Sequence, residues 1–194
     1  QPRDPNSLSV NGISAIHEDS SGILWIGTTV GGLNKLDKKT RRFAHYRNDP
    51  NDPNSLLNNT VWALLEDSQG NLWIGTSGAT NSLDRLNRQT GEFTHYQNDP
   101  KDTASLPPRA VLAVHEDSAG ILWIGTYEGG LQRLDQQSGS FTHYRHDPAQ
   151  PGSLSHDIIW AFLEDSQGRF WIGTMGGGLN LLDRSSGSPQ VGAF

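Results

Sequence analysis

Three kinds of side chain in this 194-residue chain recur in sets that could do chemistry. His and Tyr are adjacent at 45/46, 95/96 and 143/144, and imidazoles in several copies could ligate a metal ion. Glu and Asp are adjacent at Glu18-Asp19, Glu66-Asp67, Glu116-Asp117 and Glu164-Asp165. Two carboxylates about 5–10 Å apart across a sugar are what glycoside hydrolysis uses. Asp49 with Asp52, and Asp99 with Asp102, could offer oxygens to calcium. Each set also has a plainer use. The carboxylate pairs stand at one place in a repeated pattern, which suits shaping a turn better than catalysis. The aspartates lack the alternating acids, the glycine and the closing glutamate of a calcium loop. The His-Tyr pairs fall on the last strand of each repeat, three spacings of ~4.8 Å from the first, so copies in different repeats diverge and cannot share an ion. No catalytic residue, cofactor or metal is therefore expected.

The elements that carry these residues are organised around Leu24-Trp25-Ile26-Gly27-Thr28. The stretch returns at 72–76 and 122–126 and, with Phe170 in place of Leu, at 170–174. Its tryptophans, Trp25, Trp73, Trp123 and Trp171, lie 48, 50 and 48 residues apart. A fixed period of this length marks a repeat architecture, and Trp, Ile and Thr favour strands. Each copy follows Glu-Asp-Ser-x-Gly, in which Asp and Ser bond their own backbone and Gly supplies a positive φ.

Aligned on the tryptophans, each repeat gives four strand signals. In the first these are 13–17, 24–28, 33–37 and 43–46. Ala15, Ala63, Ala113 and Ala161 share one column of the first strand, where a small residue suits a crowded place. The third and fourth strands meet at turns with Gly91, Gly139 and Gly187; Arg41 stands in that column in the first repeat and is expected to take the same left-handed conformation, at a cost of ~1–2 kcal/mol. Polar Asp-Pro linkers such as 48–56 join the repeats. A repeated four-stranded antiparallel meander predicts an all-β fold, a β-propeller of four blades over approximately 6–53, 54–103, 104–151 and 152–194. The start, Arg3-Asp4-Pro5-Asn6-Ser7-Leu8, reads like the linker Asn51 to Leu56, so the chain is expected to be a segment of a larger propeller.

Composition narrows the function. The net charge is −6, from 15 basic and 21 acidic residues, with no basic stripe of the kind nucleic acid requires. There is no Cys, hence no disulfide and no thiolate metal site. No apolar run reaches the ~18 residues of a membrane span, so neither nucleic acid nor membrane is an expected partner of this segment.

The runs Glu-Asp-Ser-x-Gly-x-Leu-Trp-Ile-Gly-Thr, Gly-Gly-Leu-Asn-x-Leu-Asp and Phe-x-His-Tyr-Arg-x-Asp-Pro resemble the two-component regulator propeller repeat. The resemblance implies a non-catalytic sensor module in the periplasmic or extracytoplasmic part of a membrane-anchored bacterial signalling protein, often a hybrid histidine kinase. It implies rings of about seven blades, hence further blades of the parent as partners, and a carbohydrate or other small ligand. Two departures stand out. The second repeat has Ser77 to Ser82 where the others have a shorter loop ending in Gly-Gly. The fourth lacks Phe-x-His-Tyr after Ser186-Gly187, which puts its outer strand in doubt.

Recognition is expected where the repeat varies, on the loops between second and third strands. The candidate ligand rim is Thr29, Val30, Ser77, Thr80, Asn81, Tyr127, Glu128 and Met175, with Tyr127 foremost because its ring face and hydroxyl suit sugars and peptides. The four motif tryptophans are read as structural, buried between blades. His17 and His115 stand where Leu65 and Leu163 occur, and are read as partners of nearby turns. Rival readings are a protein-interaction or structural scaffold, with possible self-association through exposed end faces, and part of a propeller lyase or glycosidase.

Overall fold

The repeated strand signals fold as repeated sheets. A computed structural model describes residues 6–183 and the main chain of 190–193. The first blade is β1 (Ile13–Glu18), β2 (Leu24–Thr28), β3 (Leu33–Asp37) and β4 (Arg42–Tyr46). The second is β5 (Thr60–Glu66), β6 (Leu72–Ser77), β7 (Ser82–Leu86) and β8 (Phe93–Gln97). The third is β9 (Val111–Glu116), β10 (Leu122–Thr126), β11 (Gly130–Leu134) and β12 (Phe141–Tyr144). The fourth is β13 (Ile159–Glu164), β14 (Phe170–Thr174), β15 (Gly178–Asp183) and β16 (Gln190–Ala193). Each is a four-stranded antiparallel meander in sequence order, the form of a propeller blade. The doubted strand of the fourth blade exists: Asn180 to Asp183 pair with Ala193 to Gln190. Pairing is a main-chain property, and an outer strand can form without the aromatic pattern of its counterparts.

Two compact units divide the chain, Gln1–Gln97 and Asn98–Phe194. Within each, the core lies between two blades. In the first, Trp25 and Leu33 meet Leu56, Val61, Leu72, Ile74 and Leu86 of the next blade and its linker. In the second, Trp123 and Leu131 meet Leu154, Ile159, Phe170, Ile172 and Leu182. Leu56 and Leu154, each the last residue of a Ser-Leu pair in a polar linker, are buried in these cores.

Every first strand carries one register irregularity, at Ser14, Trp62, Leu112 and Trp160. It sets Ala15 opposite Gly27 and Ala113 opposite Gly125. The crowding that selects small residues here comes from the neighbouring blade. A Cβ on Gly27 would lie 2.6 Å from Val61 Cγ1, and one on Gly125 2.7 Å from Ile159 Cγ2. Arg41 takes the left-handed conformation expected of it, φ +56°, beside +79° at Gly91 and +76° at Gly139. Gly187 lies outside the described residues.

Candidate functional site

The repeated acids are built into the fold. Asp19 Oδ1 accepts the N–H groups of Ser21 (3.0 Å) and Ile23 (2.9 Å) across the β1–β2 turn, and Oδ2 accepts the indole Nε1–H of Trp25 at 2.8 Å. Asp67, Asp117 and Asp165 hold Trp73, Trp123 and Trp171 in the same way, at 2.8, 2.9 and 3.0 Å. One carboxylate thus closes a turn and fixes the rotamer of the core tryptophan six residues on. The adjacent glutamates act between blades. Glu66 accepts Ser20 N (2.6 Å) and Oγ (2.7 Å) of the preceding blade, and Glu164 accepts Ser118 N and Oγ, both at 2.7 Å. Arg88 links the two sets. Its guanidinium donates to Asp19 and to Glu66, and its Nε donates to Gly70 O at 2.8 Å. Burial pushes Asp19 upward, but the hydrogen bonds from Ser21, Trp25 and Ile23 and the charge of Arg88 outweigh it and bring the carboxyl down to about 2. Asp165 is likewise held below the usual carboxylate range, first by Trp171 and, against some burial, by Arg169 and Gln167.

The His-Tyr pairs are anchors of the linkers. His45, His95 and His143 each place Nε2 on a linker carbonyl, those of Ser7 (2.9 Å), Pro53 (3.0 Å) and Thr103 (2.9 Å). A carbonyl only accepts, so Nε2 is the donor. His95 Nδ1 also lies 2.9 Å from the buried Asp84 carboxylate. Two acceptors favour the imidazolium, and the Asp84 hydrogen bond, against burial and with help from Pro53, raises the His95 pKa. Tyr46, Tyr96 and Tyr144 pack their rings against Trp25, Trp73 and Trp123, with centroids 5.7, 5.6 and 6.1 Å apart. The linker aspartates are occupied too: Asp49 and Asp52 accept Asn51 N–H (3.0 Å) and Asn54 N–H (2.9 Å), and Asp99 and Asp102 do the same for Lys101 and Ala104. Among the described residues no group of three or more His, Asp or Glu is arranged to hold a metal ion.

One polar column covaries with its partner in sequence. Asn34, Asp84 and Asn180, buried on third strands, accept the N–H that follows the linker leucine, from Ser9 (2.9 Å), Leu57 (3.3 Å) and Ser155 (2.9 Å). In the third blade that residue is Pro107, which has no N–H. There the column holds Gln132, which turns its Nε2 to Gly129 O at 2.7 Å and its Oε1 to His143.

Trp25, Trp73 and Trp123 are buried, whereas Trp171 is partly exposed. Trp171 lines an apolar groove of about 260 Å³ with Ala161, Phe162, Leu163, Gly173 and Leu179 on the open face of the fourth blade. His17 and His115 are partly buried. His115 packs on Phe162 and Phe170 of the next blade, with centroids 6.3 and 5.3 Å away, so it contributes to blade packing rather than to a turn.

The loops between second and third strands share an edge of each blade with the segment leading into its first strand. Thr29, Tyr127 and Met175 donate their N–H to Gly12, Ala110 and Ile158 at 3.0, 2.9 and 3.0 Å. In the first unit the candidate rim is largely turned inward: Thr29 O accepts Thr60 Oγ1, Ser77 Oγ accepts Trp62 Nε1, Asn81 Oδ1 accepts Gly78 N–H, and Thr80 O accepts Asn58. Val30 is exposed. In the second unit Tyr127, Glu128 and Met175 are exposed.

The sheets and their shared turn chemistry define a β-propeller. The two component regulator propeller description matches residues 7–29, 55–78, 105–128 and 153–176, and the chain belongs to that family. It is similar over its whole length to an extracellular domain assigned to the hybrid two component system BT3049 from B. thetaiotaomicron, with 29% identity and a TM-score of 0.80. An extracellular domain assigned to a one component system, BT4673, of the same organism matches 93% of the chain at 26% identity and a TM-score of 0.74. The chain spans 25% and 22% of those two chains. Virginiamycin B lyase from Staphylococcus aureus shares the fold at 15% identity and a TM-score of 0.64, over 94% of this chain and 55% of its own. A search among curated proteins gives no match. Among the described residues no helix is long and apolar enough to cross a membrane.

Proposed function

We propose that this chain is a sensory module: propeller blades of the extracytoplasmic, periplasmic input region of a bacterial two-component signalling protein, non-catalytic in themselves. The observation that carries this is the similarity, at 26–29% identity, to extracellular domains assigned to signalling systems, over nearly all of the chain. The repeated acids and histidines support it, because they are spent on turns, tryptophans and linkers rather than converging as an acid–base pair. The test is a domain exchange. Replacing this segment within its parent by the corresponding blades of a related sensor should transfer the inducing ligand while output is kept. Unchanged induction after the exchange, or cleavage of an oligosaccharide by the purified chain, would refute the reading.

A second reading, a scaffold acting through protein contacts, has one observation in its favour. On the fourth blade Trp160, Leu163 and Leu179 are 54%, 60% and 45% exposed. In the third blade the columns of Trp171 and Gly173 are covered by Leu154, Ile159, Phe170 and Ile172 of the next blade. The fitting occupant is therefore another blade, from the parent protein or from a second copy. Light scattering of the wild type against Leu163→Asp/Leu179→Asp checks this: self-association that the double variant abolishes supports it, and a monomeric wild type with an unchanged variant refutes it for the second copy.

A further inference from the structure

The rim of the third blade differs from its counterparts in a way the fold does not require. Its β10–β11 hairpin carries Tyr127 and Glu128, where the first blade has Thr29 and Val30 and the fourth has Met175 and Gly176. Glu128 sits at φ +57°, a left-handed conformation that the fourth blade assigns to a glycine, Gly176, at φ +100°. A side chain held in that region costs stability, and an acidic residue kept there calls for a use. Arg109 lies against the same hairpin. Its Cγ would be 3.3 Å from a Cβ placed on Gly129, and the N–H of Tyr127 is bonded to the carbonyl of the next residue, Ala110, at 2.9 Å. Arg145 and Asp157, 3.9 Å apart as a loose ion pair, flank Gly130 from the following linker.

Arg109, Tyr127 and Glu128 are all exposed, Tyr127 to 44%. Among the described residues none of the three side chains donates to or accepts from another protein group. One spot therefore offers a guanidinium with donors only, a carboxylate with acceptors only, and an aromatic face. A simple anion would satisfy Arg109 and be repelled by Glu128; a cation would meet the reverse. A peptide adding as a strand needs free main-chain groups, but the N–H groups of Tyr127 and Gly130 are taken by Ala110 O and Asp157 O. Vicinal hydroxyls donate and accept at once, and the C–H face of a pyranose ring covers an aromatic ring.

We infer that Arg109, Tyr127 and Glu128 form a saccharide-binding subsite on the third blade, Tyr127 stacking one sugar ring while Arg109 and Glu128 hold its hydroxyls. This rests on the sensory reading above and gives its ligand a chemical class and a place.

The experiment titrates the protein with neutral gluco-, xylo-, manno- and galacto-oligosaccharides of four to eight units, followed by amide chemical shifts. The expected result is binding by one of them, with shifts at Ala110, Tyr127, Glu128 and Gly129. Tyr127→Ala and Arg109→Ala should each weaken it by about tenfold. Glu128→Gly separates function from folding: it should raise the melting temperature and still weaken binding. A Glu128→Gly variant that is more stable and binds equally well overturns the assignment of Glu128. Saccharide binding with shifts elsewhere overturns the subsite and leaves the sensory reading intact. Binding by none of the four series overturns the neutral-saccharide class, and the sensory reading then stands or falls by the domain exchange.

Discussion

The guanidinium of Arg88 bonds the carboxylate of Asp19, tying the β7–β8 turn of one blade to the β1–β2 turn of the blade before it. Asp19 is 4% exposed and also holds Trp25. The charge that makes this clasp is therefore coupled to a turn, a core indole and a neighbouring sheet.

Acid should release it in a defined window. The Asp19 pKa is lowered on folding, from 3.8 to about 2. A lowered carboxyl pKa gives stability that is present above the unfolded value and is lost as the pH falls through the folded one. The loss attributable to Asp19 falls between pH about 4 and about 2 and is on the order of 2 kcal/mol. Urea unfolding of the wild type and Asp19→Asn across this range measures it. The variant should be less stable at neutral pH and should lose less on acidification; parallel pH profiles would show that Asp19 is not the coupled group.

The indole contributes area and one hydrogen bond, and substitution can separate them. Trp123→Ala should cost ~3–5 kcal/mol, as large-to-small changes in a core do. Trp25→Phe keeps most of the packing but leaves Asp19 without its Nε1 donor, for about 1–2 kcal/mol. Trp171→Ala should cost clearly less than Trp123→Ala, because its ring is already partly exposed. Chemical denaturation of the three variants ranks them, and an equal cost at 123 and 171 would contradict the role given to the neighbouring blade.

The glycine of Trp-Ile-Gly-Thr should tolerate a methyl group only where no blade lies over it. Gly27→Ala places a Cβ 2.6 Å from Val61 and should cost about 1–3 kcal/mol by overpacking. Gly173→Ala finds its nearest atoms at 3.7 Å and should be nearly neutral. Adding Val61→Ala to Gly27→Ala should recover part of the loss, giving a non-zero coupling in a double-mutant cycle. Simple additivity would sink this contact.

Arg41→Gly should raise stability. The left-handed conformation costs a non-glycine residue ~1–2 kcal/mol, and the greater freedom of glycine in the unfolded chain offsets ~0.5–1 kcal/mol of that gain. A net rise of up to about 1 kcal/mol is expected in thermal unfolding, and an unchanged or lower melting temperature would show that Arg41 has compensating contacts.

Most of the fold was legible because its signals are local and repeated. Strand formers, Asx-type turns and the Arg41 column all depend on residues within one hairpin. What escaped depends on distant neighbours. The Asp19–Trp25 bond recurs at a spacing of six in all four repeats, a signal that could have been found. The need for Gly27 could not, since it is set by Val61, 34 positions away. Leu56 was passed over inside a polar linker although it is buried, and β16 was doubted for want of aromatic residues that main-chain pairing does not need. At the rim, variability marked the loops, but only the geometry separated inward-bonded Ser77 and Asn81 from the unengaged Tyr127 and Glu128.

The bond from Ser20 N–H to Glu66 makes one blade an observer of the next. The amide belongs to the first blade, but its acceptor exists in place only while the second is folded. Its hydrogen-exchange protection should therefore follow the opening of the second blade rather than of its own sheet, as should that of Ser118 with respect to Glu164. A two-blade unit that opens one sheet at a time would show it at these serines before the strand amides of the first blade changed, making the turns a built-in readout of how cooperatively the unit unravels.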